Sequence, residues 1–152
     1  MNRKIKKWIL VFIWMGIIFL FSSQSGDKSS ENNKFIVEIL NTLGIDINSI
    51  LSGKADFIIR KAAHFTEYFI LYFLLYNALR EDFYFTSSTI FALIITFLYA
   101  ASDEFHQSFV PGRGPAFRDV LIDTSGGVVC MIIIYFVNKV KQKSKTFTSK
   151  IG

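Results

Sequence analysis

Four apolar runs constrain this chain more than anything else in it. They cover about residues 5–23, 62–79, 86–101 and 120–137, and none has a proline inside. Their hearts read WILVFIWMGIIFLF, FILYFLLYNAL, TIFALIITFLYAA and GGVVCMIIIYFV. Each lies near the 17–25 residues that a membrane-crossing helix needs. Backbone amides in hydrocarbon must be satisfied within the segment, which selects helices. The expected fold is therefore all-α: one four-helix transmembrane bundle over residues 1–140, then a basic tail over 141–152. Hydrophobic residues make up 51% of the chain, and their clustering into long runs is what sets it apart from a soluble domain.

The first run could also be a signal peptide, since it follows the basic MNRKIKK and precedes Ser23 and Ser25. It stays bulky up to Phe21 and lacks an Ala-x-Ala site, so an uncleaved anchor fits better. Lysine and arginine set the orientation. Arg3, Lys4, Lys6, Lys7, Arg80, Lys139, Lys141, Lys143, Lys145 and Lys150 fall on one side, ten of the seventeen basic residues. Both termini therefore read as cytoplasmic, in a multi-pass protein of a cell membrane. The net charge of +5 sits largely at the termini beside apolar runs, which suits anionic head groups better than nucleic acid. The single Cys130 cannot form an internal disulfide and reads as a packing residue.

The first loop opens with QSGDKSSENN, which reads as polar and unstructured. FIVEILNTLG then places Phe35, Ile36, Ile39, Leu40 and Leu43 on one helical face, with Gly44 as a stop. A short amphipathic helix lying on the membrane or capping the bundle is expected there.

Parity locates the chemistry. Four crossings put the end of the first run, the start of the second, the end of the third and the start of the fourth on one side. There the chain reads FSSQS, RKAAHFTEY, ASDEFHQ and RDVLID. His64 and Glu67 are i and i+3 on a helix, and Asp119 and Asp123 are i and i+4, with Gly126 and Cys130 continuing that face. An ionisable group within a span is a functional hypothesis by default. A polar pocket is expected at the outer mouth. His64, Glu67, Asp103, His106 and Asp123 are the acid, base and orienting candidates; Lys61, Glu104, Gln107, Arg113, Arg118 and Asp119 are the binding candidates. Ser22, Ser23 and Gln24 complete its lining. Plainer roles compete: Arg60, Lys61 and Arg118 as interface anchors, Asp119 as an N-cap, and Glu67 and Asp123 as partners fixing helix register. Pro111, Gly112, Gly114 and Pro115 shape the loop. His64-x-x-Glu67 and Asp103-x-x-His106 are mixed N/O pairs that suit Zn²⁺ or Mn²⁺, but two such spacings are too little to assign a metal, and the cofactor stays unknown.

RKAAHFTEYFILY and SDEFHQSFVPGRGPAFRDVLIDTSGG resemble the VanZ-like family of bacterial membrane proteins, and the likeness covers nearly the whole chain. The motif residues carry over as Lys61, His64, Glu67, Asp103, Glu104, His106, Gln107, Pro111, Arg113, Asp119 and Asp123. Cys130 departs from the small residue, often glycine, expected there, and GPAF matches loosely. The resemblance implies an integral membrane protein whose founding relative is associated with teicoplanin resistance. It also implies a proposed kinship with enzymes that exchange or cleave lipid head groups. Phosphoester hydrolysis or transfer on a lipid or lipid-linked cell-envelope head group is therefore one expectation. A non-catalytic protein that binds a lipid, a wall precursor or a lipid-tailed antibiotic is the alternative. A purely structural role for the polar cluster is a third. The oligomeric state is left open.

Overall fold

A computed structural model describes residues 2–151, with side chains described through Ser144. The fold is helical throughout: α1 (Arg3–Ser22), α2 (Gly26–Thr42), the single turn α3 (Ile47–Ile50), α4 (Ala55–Leu79), α5 (Phe85–Gln107) and α6 (Phe117–Ile151). No strand occurs among the described residues.

The helices begin where the local chemistry allows. The Asn2 side chain accepts from the Lys4 amide and opens α1; Ser25 accepts from Lys28 and opens α2. Asp46 caps α3 through the Ser49 amide. Gly44 takes a left-handed φ of +84° after α2, as expected of a stop. Residues 26–33 are helical, not unstructured as their composition suggested. Ser25 supplies the cap, and Ser30 and Asn33 find partners on α4. Asn33 and Val37 of α2 turn inward, while Phe35 and Leu43 of its apolar face are 65% and 70% exposed.

α4 is the central helix, packed against α1, α2, α5 and α6. Tyr68, Leu71, Tyr72, Leu75, Ala78 and Leu79 form its buried face at helical spacing. Tyr72 donates to the Thr89 carbonyl of α5 at 3.1 Å. Trp14 of α1 donates to the Glu67 carbonyl at 2.9 Å, and Tyr99 of α5 donates to the Met15 carbonyl at 2.7 Å. Gly126 and Gly127 let three helices converge. A Cβ at Gly126 would collide with the Phe65 carbonyl oxygen of α4, and one at Gly127 would lie 3.0 Å from Thr96 Cγ2. Small residues at such positions are what let helices approach this closely.

Outside this core the surface is apolar, with Phe12, Leu20, Leu98, Ile133 and Phe136 among many large exposed hydrophobic residues. Three helices are long and apolar enough to cross a membrane: Arg3–Ser22, Phe85–Gln107 and Phe117–Ser144. α4, expected as a fourth such run, is not among them. His64, Glu67, Asn77 and three tyrosines dilute its apolar character, and the other helices shield much of it. α5 extends through Gln107, beyond the expected end at residue 101, so Asp103, Glu104, His106 and Gln107 stand on a helix rather than a loop. α6 continues past residue 140 without a break, although the Lys145 and Lys150 side chains of the expected basic tail lie outside the described residues.

Candidate functional site: a polar cleft where four helix ends meet

The C-terminal end of α1, the N-terminal half of α4, the last turns of α5 and the first turns of α6 converge at one end of the bundle. Between them lies a cleft of about 70 Å³ lined by Arg60, Lys61, His64, Glu104, Gln107, Gly112, Arg113, Gly114, Asp119 and Asp123. Helical spacing aims the side chains: His64 with Glu67 on α4, Asp103 with Gln107 on α5, Asp119 with Asp123 on α6.

His64 is the hub. Its Nδ1 is 3.7 Å from Glu67 Oε2 and 3.9 Å from Asp123 Oδ1. Asp103 and Asp123 are almost fully buried, at 3% and 2% exposure. His64, Asp103 and Asp123 each offer a ligand atom within 4.8 Å of the others, so these three could hold a metal ion. Gln107 donates to Asp103 Oδ2 at 3.1 Å, while Asp103 Oδ1 has no hydrogen-bond partner. The hydroxyls of Ser22 and Tyr68 lie beside the Asp103 carboxylate, short of hydrogen-bonding geometry.

Cations line the rim. Lys61 Nζ pairs with Asp119 Oδ2 at 2.7 Å, so Asp119 is an ion-pair partner rather than the N-cap of α6. The loop of residues 108–116 brings Arg113 over the cleft. Its Nη1 donates to Gln107 Oε1 and its Nε to the Gln24 carbonyl, both at 3.2 Å. Burial and nearby Arg60 push the Arg113 pKa down from its ordinary high value, and the carboxylates of Asp103, Glu104 and Glu67 oppose that shift. The guanidinium stays charged at neutral pH. Glu104 accepts from the Ala116 amide at 2.7 Å and pins the loop from below. The Gly26 amide donates to the Pro111 carbonyl at 3.1 Å, where a Cβ on Gly26 would strike Gly112.

Of the acid, base and binding candidates, Glu67 and Asp103 sit against His64 without lining the cleft, and His106 and Arg118 stand elsewhere. His106 faces α1, its Nε2 3.1 Å from Ser23 Oγ and its ring 4.5 Å from that of Phe19. Arg118 sits 5.7 Å from the Phe57 ring centroid, where Lys61 also lies at 5.5 Å, and does not line the cleft. Other contributors escaped the sequence reading or, like Arg60, entered it only as an interface anchor. Tyr68 was hidden among aromatic residues of an apolar run. Arg60 Nη2 pairs with Asp56 Oδ2 at 3.0 Å and donates to Ser30 Oγ at 2.9 Å, and Asn33 donates to Asp56 Oδ1 at 2.8 Å. The i, i+4 spacing of Asp56 and Arg60 was the available signal.

Beneath α2 a second chamber of about 200 Å³ shares Arg60, His64 and Arg113 with the cleft and adds Phe21, Ile36, Ala63 and Glu67. An open groove shares Ile36, Ala63 and Glu67 with this chamber and adds Trp14, Ile59, Ala62, Thr66 and Ile70. From the cleft to the groove the walls change from charged, through mixed, to apolar.

No curated protein and no solved structure matches the chain. The family model described as VanZ/LLP1 matches residues 7–138, which span α1 to α6 and hold every side chain of the cleft. The chain belongs to the VanZ/LLP1 family.

Proposed function

We propose that this protein takes the anionic head group of a lipid or lipid-linked cell-envelope molecule into the cleft and hydrolyses or transfers its phosphoester. The carrying observation is the adjacency of three cavities of graded character. A molecule with a charged head and an apolar tail matches a charged cleft that shares His64 with a mixed chamber, which in turn shares Ile36, Ala63 and Glu67 with an apolar groove. In this reading all four long helices cross a bacterial membrane, α4 lies at the centre, and both termini are cytoplasmic. The ten basic residues at the opposite ends favour that orientation.

The chemistry follows from the side chains. Arg113 and Lys61 hold the phosphate oxygens, the guanidinium by two parallel hydrogen bonds. His64 takes a proton from water or an acceptor alcohol as its oxygen attacks phosphorus, with Glu67 and Asp123 orienting the ring. The phosphorus–oxygen bond to the leaving alcohol breaks, and the imidazolium returns the proton to that oxygen. Removing a teicoplanin-type target or its lipid anchor in this way would link the activity to glycopeptide resistance, as the VanZ kinship suggests.

A second reading has one observation in its favour. His106 faces α1, so a single histidine serves the cleft, as suffices for a holder that binds without turnover. Protein reconstituted in vesicles with phospholipids and lipid-linked wall precursors separates the two. Head-group release or exchange that is lost in His64→Gln supports the enzyme. Binding without release supports the holder, and neither binding nor release would sink both.

A further inference from the structure

Against the buried side of the cleft three carboxyl groups gather with no cation among them. Glu67, Asp103 and Asp123 converge there, and among the described residues no lysine or arginine nitrogen lies within 4.0 Å of their carboxylate oxygens. The cations are on the rim. Lys61 is held by Asp119, Arg60 by Asp56, and Arg113 by neutral oxygens. Asp103 Oδ1 is buried and unpartnered, and so is His64 Nδ1. The Tyr68 hydroxyl, on a side chain with no exposed surface, is likewise unpartnered and lies beside Asp103. Buried carboxylates in this state are normally paired, hydrogen-bonded or bound to a metal.

We propose that His64 Nδ1 and one carboxylate oxygen each from Asp103 and Asp123 bind a divalent cation, Zn²⁺ or Mn²⁺. One imidazole with two carboxylates is the mixed N/O set these ions favour. Donors about 2.1 Å from such an ion stand roughly 3.4 Å apart at tetrahedral angles. His64 Nδ1 and Asp123 Oδ1 are 3.9 Å apart, and each of the three residues has a donor atom within 4.8 Å of the others, so small side-chain rotations close the site. Two carboxylates neutralise the ion, and three protein donors leave a position open toward the cleft. Glu67, 3.7 Å from the same imidazole nitrogen, can accept from a water in that position or ligate directly. A phosphate oxygen could replace the water, with Glu67 rather than the ion-bound His64 then taking the proton; that role rests on the phosphoester reading, and the metal site itself does not.

The test is direct binding. The full-length protein in lipid nanodiscs is stripped with chelator and titrated with Mn²⁺, followed by loss of the free-ion paramagnetic signal, and with Zn²⁺, followed by metal analysis after dialysis. The expected result is about one ion per chain for the wild type. Asp103→Asn, Asp123→Asn and His64→Gln should each weaken binding at least tenfold, and His106→Gln should not. The wild-type melting temperature should rise with the ion, and that of Asp103→Asn should not. Should the carboxylate variants fail to fold, the wild-type titration against His64→Gln decides. No uptake by the wild type, or equal uptake by it and the folded variants, overturns the site. A protein that binds the ion but releases no head group keeps the site and removes the enzyme reading. Head-group release by a wild type that takes up no ion in the titration keeps the enzyme reading and removes the site.

Discussion

Gly126→Ala isolates the contact that positions the floor of the cleft. The added Cβ would meet backbone atoms of α4: the Phe65 carbonyl oxygen, its carbon at 3.1 Å and the Phe69 nitrogen at 3.0 Å. None is the end of a flexible side chain, so α6 must move away from α4. Overpacking of this kind costs about 1–3 kcal/mol, and a clash with helix backbone belongs at the upper end. Asp123 lies less than one turn from Gly126, so the same shift pulls its carboxylate from His64, now 3.9 Å away. Gly16→Ala is the control. Its Cβ meets nothing within 4 Å, and it should stabilise α1 by about 0.5–1 kcal/mol through helix propensity. Thermal unfolding in nanodiscs, read for both variants under one set of conditions, measures the difference. Equal stability of the two would refute the claim that α4 and α6 touch backbone to side-chain position here.

Other substitutions probe the rim and the opposite end. Glu104→Ala releases the Ala116 amide and should cost about 1.5–3 kcal/mol, with faster hydrogen exchange confined to residues 108–117. Lys61→Met should destabilise more than the double change Lys61→Met/Asp119→Asn, because the single change strands a largely buried carboxylate; thermal midpoints check the order. At the opposite end Lys7 hydrogen-bonds Glu81, and Arg3 lies 3.2 Å from it, so the Glu81 pKa falls below its ordinary value. A depressed carboxylate pKa contributes stability above the unfolded value, lost as pH falls through the folded one. The wild-type melting temperature should therefore drop more steeply than that of Glu81→Gln as pH falls from about 5 to 3, and parallel curves would contradict the contact.

The long helices were legible because hydrocarbon imposes a single backbone solution on apolar runs. α4 was legible as a helix but less so as a crossing, since its polar and aromatic residues face partners that only the folded bundle supplies. Residues 26–33 looked structureless because their composition is polar. Their order comes from the Asp56 and Arg60 contacts with Ser30 and Asn33, more than twenty residues away. At the site, i, i+3 and i, i+4 spacing placed His64, Glu67, Asp119 and Asp123 on shared faces, and parity brought the four helix ends together. Spacing could not show which way His106 turns. One helical turn holds Asp103, Glu104 and His106, and the neighbours decide: Ser23 and Phe19 draw the histidine to α1, while Asp103 meets Tyr68. The Tyr68 hydroxyl was invisible because tyrosines in apolar runs most often only pack.

Photolabelling tests the central claim most directly: that a head-and-tail molecule enters the cleft from the groove beside α2. A phospholipid with a diazirine near the glycerol end of its tail is incorporated into nanodiscs with the protein, irradiated, and mapped by mass spectrometry. The predicted result is label on Trp14, Ile36, Ala63 and Ile70, much reduced in Arg113→Gln, where the head group loses its anchor. Label spread over the outer faces at Phe12, Leu20 and Leu98, unchanged by Arg113→Gln, would contradict it.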